Sequence, residues 1–285
     1  MAFSLSETRE VLRRFGVCPK RKLGQNFLID PRVVERSVQW AQIEPAEVVV
    51  EVGPGCGTLT DDLVKAGARV FTVEKDLVLA RYISEHFPIN ILQADAVDFP
   101  VGNFDCSQPY KVVANLPYAV ASVWLDKILE LPQLPGIMVL LVQKEAADRW
   151  FSESGCKSFG AIGIYLQAMY RLEQKCTVSK RCFYPQPKVD SVLLHIQKRI
   201  DGYLFQKEFK QFIRTIFTHR RQQIARACKE NRAPFADDFL NFLEKQNLPK
   251  TVRAEAVPLE LWIAFSKAYF SEHSDKMGFR TDARS

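Results

Sequence analysis

A doubly wound α/β sheet followed by a small all-helical domain is the fold class that this chain of 285 residues predicts. Three observations carry it. Up to about residue 200, short β-rich runs alternate with helical patterns, as in parallel strands joined by crossover helices. One run, Gly136–Val142, is almost entirely apolar, which suits a strand buried on both faces. After Ile200 the strand patterns stop and helical periodicity runs to Tyr269, dividing the chain into residues 1–200 and 201–285.

Asp30-Pro31 reads as a helix N-cap and first helical residue, with Val33, Val34, Ser37, Val38 and Ala41 on one side. A strand over Glu47–Val52 enters a glycine-rich turn, and the helix over Leu59–Ala66 stops at Gly67. A strand over Arg69–Val73, a helix over Leu77–His86 and short strands at Ile89–Leu92 and Lys111–Ala114 follow. A helix at about Ser122–Glu130 precedes the apolar strand. Phe183–Gln197, FYPQPKVDSVLLHIQ, reads as a proline-rich loop feeding an edge strand. Glu208–Glu230 is helical in pattern, with Phe209, Phe212, Ile213, Ile216, Phe217 and Ile224 on one broad side. Lys210, Arg214 and Arg221 share another face. Arg220 projects into the apolar arc, so either the helix breaks near Thr218 or Arg220 sits at the domain junction.

Hydrophobic residues make up 47% of the chain and charged residues 25%, enough to bury a full core. The aliphatic run Ile137–Val142 is far shorter than the ~18 residues of a membrane span. MAFSLSETREVLRRFG lacks the apolar core of a secretory signal, so the cytoplasm is the expected compartment. Seven scattered cysteines form no Cys-x-x-Cys pair and four histidines form no His-x-x-x-His. No metal site or disulfide framework is expected, and a Cys/His or Ser/His nucleophile is disfavoured. The net charge of +6 is concentrated: between Lys180 and Arg232 stand 13 Lys/Arg against 4 Asp/Glu. That local excess favours a polyanion, of which nucleic acid is the commonest.

VVVEVGPGCGTLT, Val48–Thr60, is an apolar strand, an acid, glycines at 53, 55 and 57, and a helix start. Such a turn lets a ligand lie against backbone beside helix N–H groups. A dinucleotide fingerprint would need glycine at 58, where this chain has Thr58. Glu74 ends the next strand, where an acid accepts ribose hydroxyls, and Asp95 follows the strand after, where a carboxylate can receive an adenine amino group. Either acid alone serves equally well as a helix cap, as Asp76 does. At the ends of successive strands, with the glycines, they favour a nucleoside ligand.

Asn115-Leu116-Pro117-Tyr118 then stands at the end of the fourth strand. As a bare turn it would be unremarkable, since Asn and Pro are common turn residues. Beside the cofactor pattern it resembles the Asn-Leu/Ile-Pro-Tyr motif of methyltransferases that act on planar exocyclic amines, especially adenine N6. The Asn115 side-chain carbonyl and the Leu116 backbone carbonyl provide two acceptors for the two N6 hydrogens. Pro117 fixes φ and removes a competing donor. Tyr118 offers a stacking face to an extruded base, worth about 1–3 kcal/mol.

KLGQNFLID (Lys22–Asp30), the glycine turn, NLPY, QKEAADR (Gln143–Arg149), PKVDS (Pro187–Ser191) and FTHRRQQ (Phe217–Gln223) occur in that order. Together they resemble the ribosomal RNA adenine dimethyltransferases, in particular their small-subunit branch, over nearly the whole chain. The resemblance implies a Rossmann-like class I methyltransferase sheet and S-adenosyl-L-methionine as cofactor. It also implies N6,N6-dimethylation of two adjacent adenosines near the 3′ end of small-subunit ribosomal RNA during ribosome assembly. The partner it implies is the immature small subunit, met by a monomer. It places Asn26 and Leu28 against the cofactor with Gly53, Gly55, Glu74, Asp95 and Asn115. Lys20, Arg21, Lys22, Lys188, Lys210, Arg214, Arg220 and Arg221 are the candidate RNA contacts. A large-subunit enzyme of the macrolide-resistance type more often has Ile at the Leu116 position and departs from PKVDS; a non-catalytic assembly factor would show a degraded cofactor site. The chain departs from the family pattern in lacking a hydroxyl at Ala121, where Ser122 is a substitute cap. Phe159 replaces a usual tyrosine, and Gln222-Gln223 a more basic pair.

Overall fold

A computed structural model describes residues 3–20, 24–231 and 234–273. The chain divides into two compact units: Met1–Ala147 with Tyr170–Arg199, and Asp148–Met169 with Ile200–Ser285. The change at residue 200 falls where the strand patterns stop. Residues 148–169 differ from the sequence-based division, which kept them with the sheet. They form a helical excursion between two strands, and only their packing partners reveal which unit they join.

In the first unit, α1 (Leu5–Arg14) opens on a capping box between Ser4 and Glu7. The two-residue strand β1 (Phe27–Leu28) precedes α2 (Pro31–Ala41), whose N-cap Asp30 accepts the Arg32 N–H as expected. There follow β2 (Val48–Val52), α3 (Thr58–Lys65), β3 (Arg69–Glu74), α4 (Leu77–His86), β4 (Asn90–Gln93), β5 (Tyr110–Asn115), α5 (Ala121–Ile128) and β6 (Ile137–Gln143). α6 (Lys144–Trp150) crosses into the second unit, α7 (Ala161–Met169) belongs to it, and the chain returns to the first unit with β7 (Tyr170–Val178), β8 (Phe183–Tyr184) and β9 (Ser191–Lys198).

The seven strands of the main sheet run in the order β4-β3-β2-β5-β6-β9-β7. β4 through β6 are mutually parallel, and β9 lies antiparallel to both β6 and β7. The expectation that Phe183–Gln197 feeds an edge strand is therefore corrected: β9 is interior and β7 is the edge. The burial patterns give the reason. Ser191–Ile196 is buried throughout, whereas YRLEQKCTV of β7 alternates irregularly and is mostly exposed, so its sequence does not announce a strand. A separate ribbon pairs β1 with β8, Phe27 opposite Tyr184 and Leu28 opposite Phe183. One apolar cluster joins Val33, Val34 and Ala41 of α2 to Val49, Val113, Val139 and Leu141 in the sheet.

The second unit contains α7, α8 (Lys207–Thr218), α9 (Ile224–Asn231), α10 (Ala236–Lys245) and α11 (Leu259–Glu272). The helix pattern over 208–230 breaks after Thr218, the first of the two alternatives that Arg220 posed. Phe209 is fully buried at the centre, its ring within 5.5–6.3 Å of Phe212, Phe235, Phe239, Trp262, Phe265 and Phe270.

Candidate functional site

The carboxyl ends of β2 and β5 open on a cleft. Its walls are the Gly24–Leu28 segment, the Gly53–Cys56 turn and Asn115–Tyr118, with Glu51, Thr58 and Leu59 completing it. Asn26, Leu28, Gly53, Gly55 and all four residues of NLPY are thus brought together as expected.

Each wall is shaped by a close approach. Gly55 has φ +58, and a Cβ there would lie 2.9 Å from the Phe27 ring, so glycine is needed both for the turn and for the aromatic lid above it. Gly24 has φ +66 and packs on NLPY itself: a Cβ would come within 3.2 Å of the Tyr118 nitrogen. Phe27 also belongs to a small apolar cluster with Leu12 of α1, Cys56 and Leu79 of α4. The N-terminal helix therefore buttresses the glycine turn.

Asn115 sits at the last position of β5. Its Nδ2 donates to the Asn26 backbone carbonyl at 3.0 Å, and the Asn26 side chain donates to the Gly24 carbonyl at 3.0 Å. The first bond fixes the amide plane so that the remaining acceptor, Oδ1, is not the atom turned to Asn26. Leu116 donates its N–H to the Leu141 carbonyl at 3.1 Å, and among the described residues its own carbonyl accepts no backbone hydrogen bond. The Tyr118 hydroxyl shares a 2.6 Å hydrogen bond with the buried Ser191 of the PKVDS stretch. Burial raises the Tyr118 pKa, so the phenol stays neutral at physiological pH. Val120, not Ser122, is the N-cap of α5, and it makes no side-chain cap; Ser122 lies inside the helix. Buried Ala121 starts that helix, which forms without the hydroxyl expected there.

Glu74 lies beneath the glycine turn rather than on the cleft wall. Its Oε2 accepts the Gly55 N–H at 3.3 Å and its Oε1 accepts the Asp76 N–H at 2.8 Å. Burial raises its pKa, opposed by those backbone donors. The Lys75 N–H is a third backbone donor to this carboxylate, which leaves about one of its four acceptor positions for a hydroxyl donor. Asp95 stands apart from the cleft lining, paired with Lys75 at 2.6 Å and accepting the Val97 N–H at 2.9 Å. The hydrogen bond from Lys75 lowers its pKa. Asp76 caps α4, as the sequence suggested, and its other oxygen holds Lys20 at 2.7 Å.

The sequence reading missed Glu51 and Phe27 as site residues. Glu51 is buried, accepts from Thr60 Oγ1 at 2.7 Å, and has its pKa pushed up to about 8 by burial, with the charge of Glu74 adding to the effect. An acid inside the otherwise apolar run VVVEV was the available signal.

The candidate RNA contacts separate into groups. Arg21 and Lys22 lie outside the described residues. Lys210 is only 8% exposed and lies 5.9 Å from the Tyr165 ring centroid, with Arg214 at 5.8 Å from the same ring. Arg220 donates to the Lys157 carbonyl and pairs with Glu255 at 3.6 Å. These three are held by the fold of the helical unit; Lys188 and Arg221 are exposed.

The family profile described as "Ribosomal RNA adenine dimethylase" matches residues 18–269. The small subunit ribosomal RNA methyltransferase A of Opitutus terrae is 42% identical over 93% of this chain and 98% of its own length. Its counterpart in Thermotoga neapolitana is 35% identical over 89% and 93%. Among solved structures, a dimethyladenosine transferase from Plasmodium falciparum superposes with a TM-score of 0.70 at 22% identity, covering 87% of this chain and 98% of that one. The 23S ribosomal RNA methyltransferase ErmE does so with 0.62 at 24%, covering 85% and 98%. Both share the Rossmann-like sheet with a C-terminal helical region.

Proposed function

Because the chain belongs to the ribosomal RNA adenine dimethylase family, whose members methylate with S-adenosyl-L-methionine, we propose that it converts two adjacent adenosines of small-subunit ribosomal RNA to N6,N6-dimethyladenosine. The observation that carries the reading is the hydrogen bond from Asn115 Nδ2 to the Asn26 carbonyl. It leaves one amide oxygen beside one backbone carbonyl, the acceptor pair that an exocyclic amine requires.

The cleft fits the cofactor. Its glycine turn exposes backbone, and Glu74 lies below with some acceptor capacity left. Gly53, Gly55, Asn26 and Leu28 are the residues that would hold it, with Glu74 toward the ribose and Asp95 toward the adenine once Lys75 yields. When bound, it supplies an electrophilic methyl group on sulfur.

The protein's part is mainly positioning. Adenine N6 is a weak nucleophile because its lone pair is delocalised into the ring. Acceptance of both N–H bonds by Asn115 Oδ1 and the Leu116 carbonyl draws electron density back to nitrogen. An amide has no useful basicity at neutral pH, so Asn115 polarises the N–H bond and the proton leaves to solvent after transfer. Tyr118 offers its ring to the extruded base, and Ser191 fixes that ring by its hydroxyl. The immature small subunit is the proposed substrate, the cytoplasm the proposed compartment and a monomer the proposed form.

Primer extension on small-subunit RNA tests this. Cells lacking the protein should lose the dimethyladenosine stop, and wild type but not Asn115→Ala should restore it. Asn115→Ala should lower turnover at least 10²-fold, the scale of losing one preorganised polar contact in a transition state, while RNA affinity stays within about twofold. An unchanged stop in the deletion strain, or one restored by Asn115→Ala, would overturn the assignment.

A further inference from the structure

Two of the sequence stretches that match the family, QKEAADR and PKVDS, are not used up by the chemistry at NLPY. They meet at one point. In the sheet register Ser191 stands opposite both Gln143 and Val178, so β6, β7 and β9 all end or begin at the same level. The residues just beyond are Lys144 after β6, Lys180 and Arg181 after β7, and Lys188 before β9.

Asp190 joins these three segments. Its backbone carbonyl accepts the Lys144 N–H at 3.3 Å, and its Oδ1 accepts the Lys180 N–H at 2.9 Å. The next residue, Ser191, holds the Tyr118 hydroxyl at 2.6 Å. The junction is thus tied directly to the ring expected to stack on the target base. Lys144, Arg181 and Lys188 are exposed and Lys180 is half-exposed. Among the described residues none of the four is in an ion pair, in contrast to Lys20, Lys75 and Arg220. The acids on these segments are Asp190, whose Oδ1 is taken by a backbone donor, Glu145, which has an interaction of its own, and exposed Asp148, one turn along α6 from Lys144.

We propose that this junction is a phosphate-binding site for the RNA strand that carries the target adenosine, with Lys144, Lys180, Arg181 and Lys188 as its cations and Asp190 as the residue that positions their backbones. The inference rests on NLPY being the adenine site. A base rotated out of its stack toward Tyr118 keeps its own 5′ and 3′ phosphates near the ring. Cations fixed beside that ring meet these phosphates, and contacts of this kind set register rather than sequence. Asp190 works through the backbone: its carbonyl holds the Lys144 N–H and its Oδ1 the Lys180 N–H, so it sets where those lysines start, while its own charge is outnumbered by the four cations.

The test uses the full chain and small ribosomal subunits from cells lacking the enzyme. Binding is measured from low to moderate salt for wild type, for Lys144→Gln/Lys180→Gln/Lys188→Gln, and for the matching triple Lys→Arg variant. Cofactor affinity and melting temperature are measured alongside. Each phosphate contact contributes about 0.7 to the slope of log K against log salt on single-stranded RNA. The Gln variant should lose about 2 from that slope and weaken at least tenfold at low salt, with cofactor affinity unchanged, and the Arg variant should restore both. A salt slope equal to wild type in the Gln variant overturns the site, whatever happens to turnover. Failure of wild type to methylate these subunits overturns instead the reading on which the site rests, and the site with it.

Discussion

At the scale of single residues, Glu51 shows how a buried acid couples the cofactor cleft to pH. Its carboxyl has an ordinary value of 4.5 and is pushed up to about 8 by burial. In the folded protein it therefore holds a proton that the unfolded chain releases above about pH 4.5. The folded state is favoured fully below that value, and the advantage is lost as pH rises through about 8. Glu51→Gln keeps an acceptor for Thr60 but cannot ionise. Wild type and variant should melt at similar temperatures near pH 5, and the variant should then gain by a few degrees toward pH 8.5. Melting curves across that range check this; a gap independent of pH would mean that Glu51 is ionised throughout. Glu74, raised in the same direction and adding to the rise at Glu51, is present in both proteins. NLPY and the glycines could be read from sequence because their chemistry is local. The hydrogen bond from Asn115 to Asn26 could not, since it joins residues 89 positions apart through a backbone atom that any residue would supply.

At the scale of elements, the short ribbon of β1 and β8 places Phe27 over the glycine turn. No periodicity marks a two-residue strand, so the ribbon and its contact with Gly55 were invisible in the sequence. Gly55→Ala should meet two penalties: a left-handed φ costing about 1–2 kcal/mol, and a Cβ 2.9 Å from the ring. Cofactor affinity should fall at least tenfold. Adding Phe27→Leu should recover part of that loss, leaving a coupling energy of about 0.5–3 kcal/mol between neighbouring sites. Calorimetric titration of the two single variants and the double variant measures it. Strict additivity would show that the turn, and not the ring above it, sets the cost. The interior place of β9 and the edge place of β7 belong to the same lesson. An apolar run shows that a strand is buried but not which strand covers it, and a polar edge strand gives almost no signal.

At the scale of the whole molecule, the parallel half of the sheet was legible because each βα unit repeats one pattern of apolar strand, turn and amphipathic helix. The helical unit was legible only in part, because residues 148–169 join it from between two strands of the other unit. Its basic residues also divided on folding: Lys210 is buried against Tyr165 and Arg220 is bound to Glu255, so helical spacing alone overestimated the exposed charge. What holds that unit is an aromatic cluster around Phe209. Phe209→Ala should cost about 3–5 kcal/mol, a large share of the 5–15 kcal/mol typical of a domain. With two compact units, unfolding need not be a single step. Calorimetry should show one transition lowered by roughly 10 °C or more while a second remains in place and is still raised by S-adenosyl-L-methionine. That outcome follows from the proposed cofactor cleft, whose lining residues all belong to the first unit. A single transition, lowered as one and raised as one by the ligand, would show instead that the two cores unfold together and that the aromatic cluster supports the cofactor cleft as well.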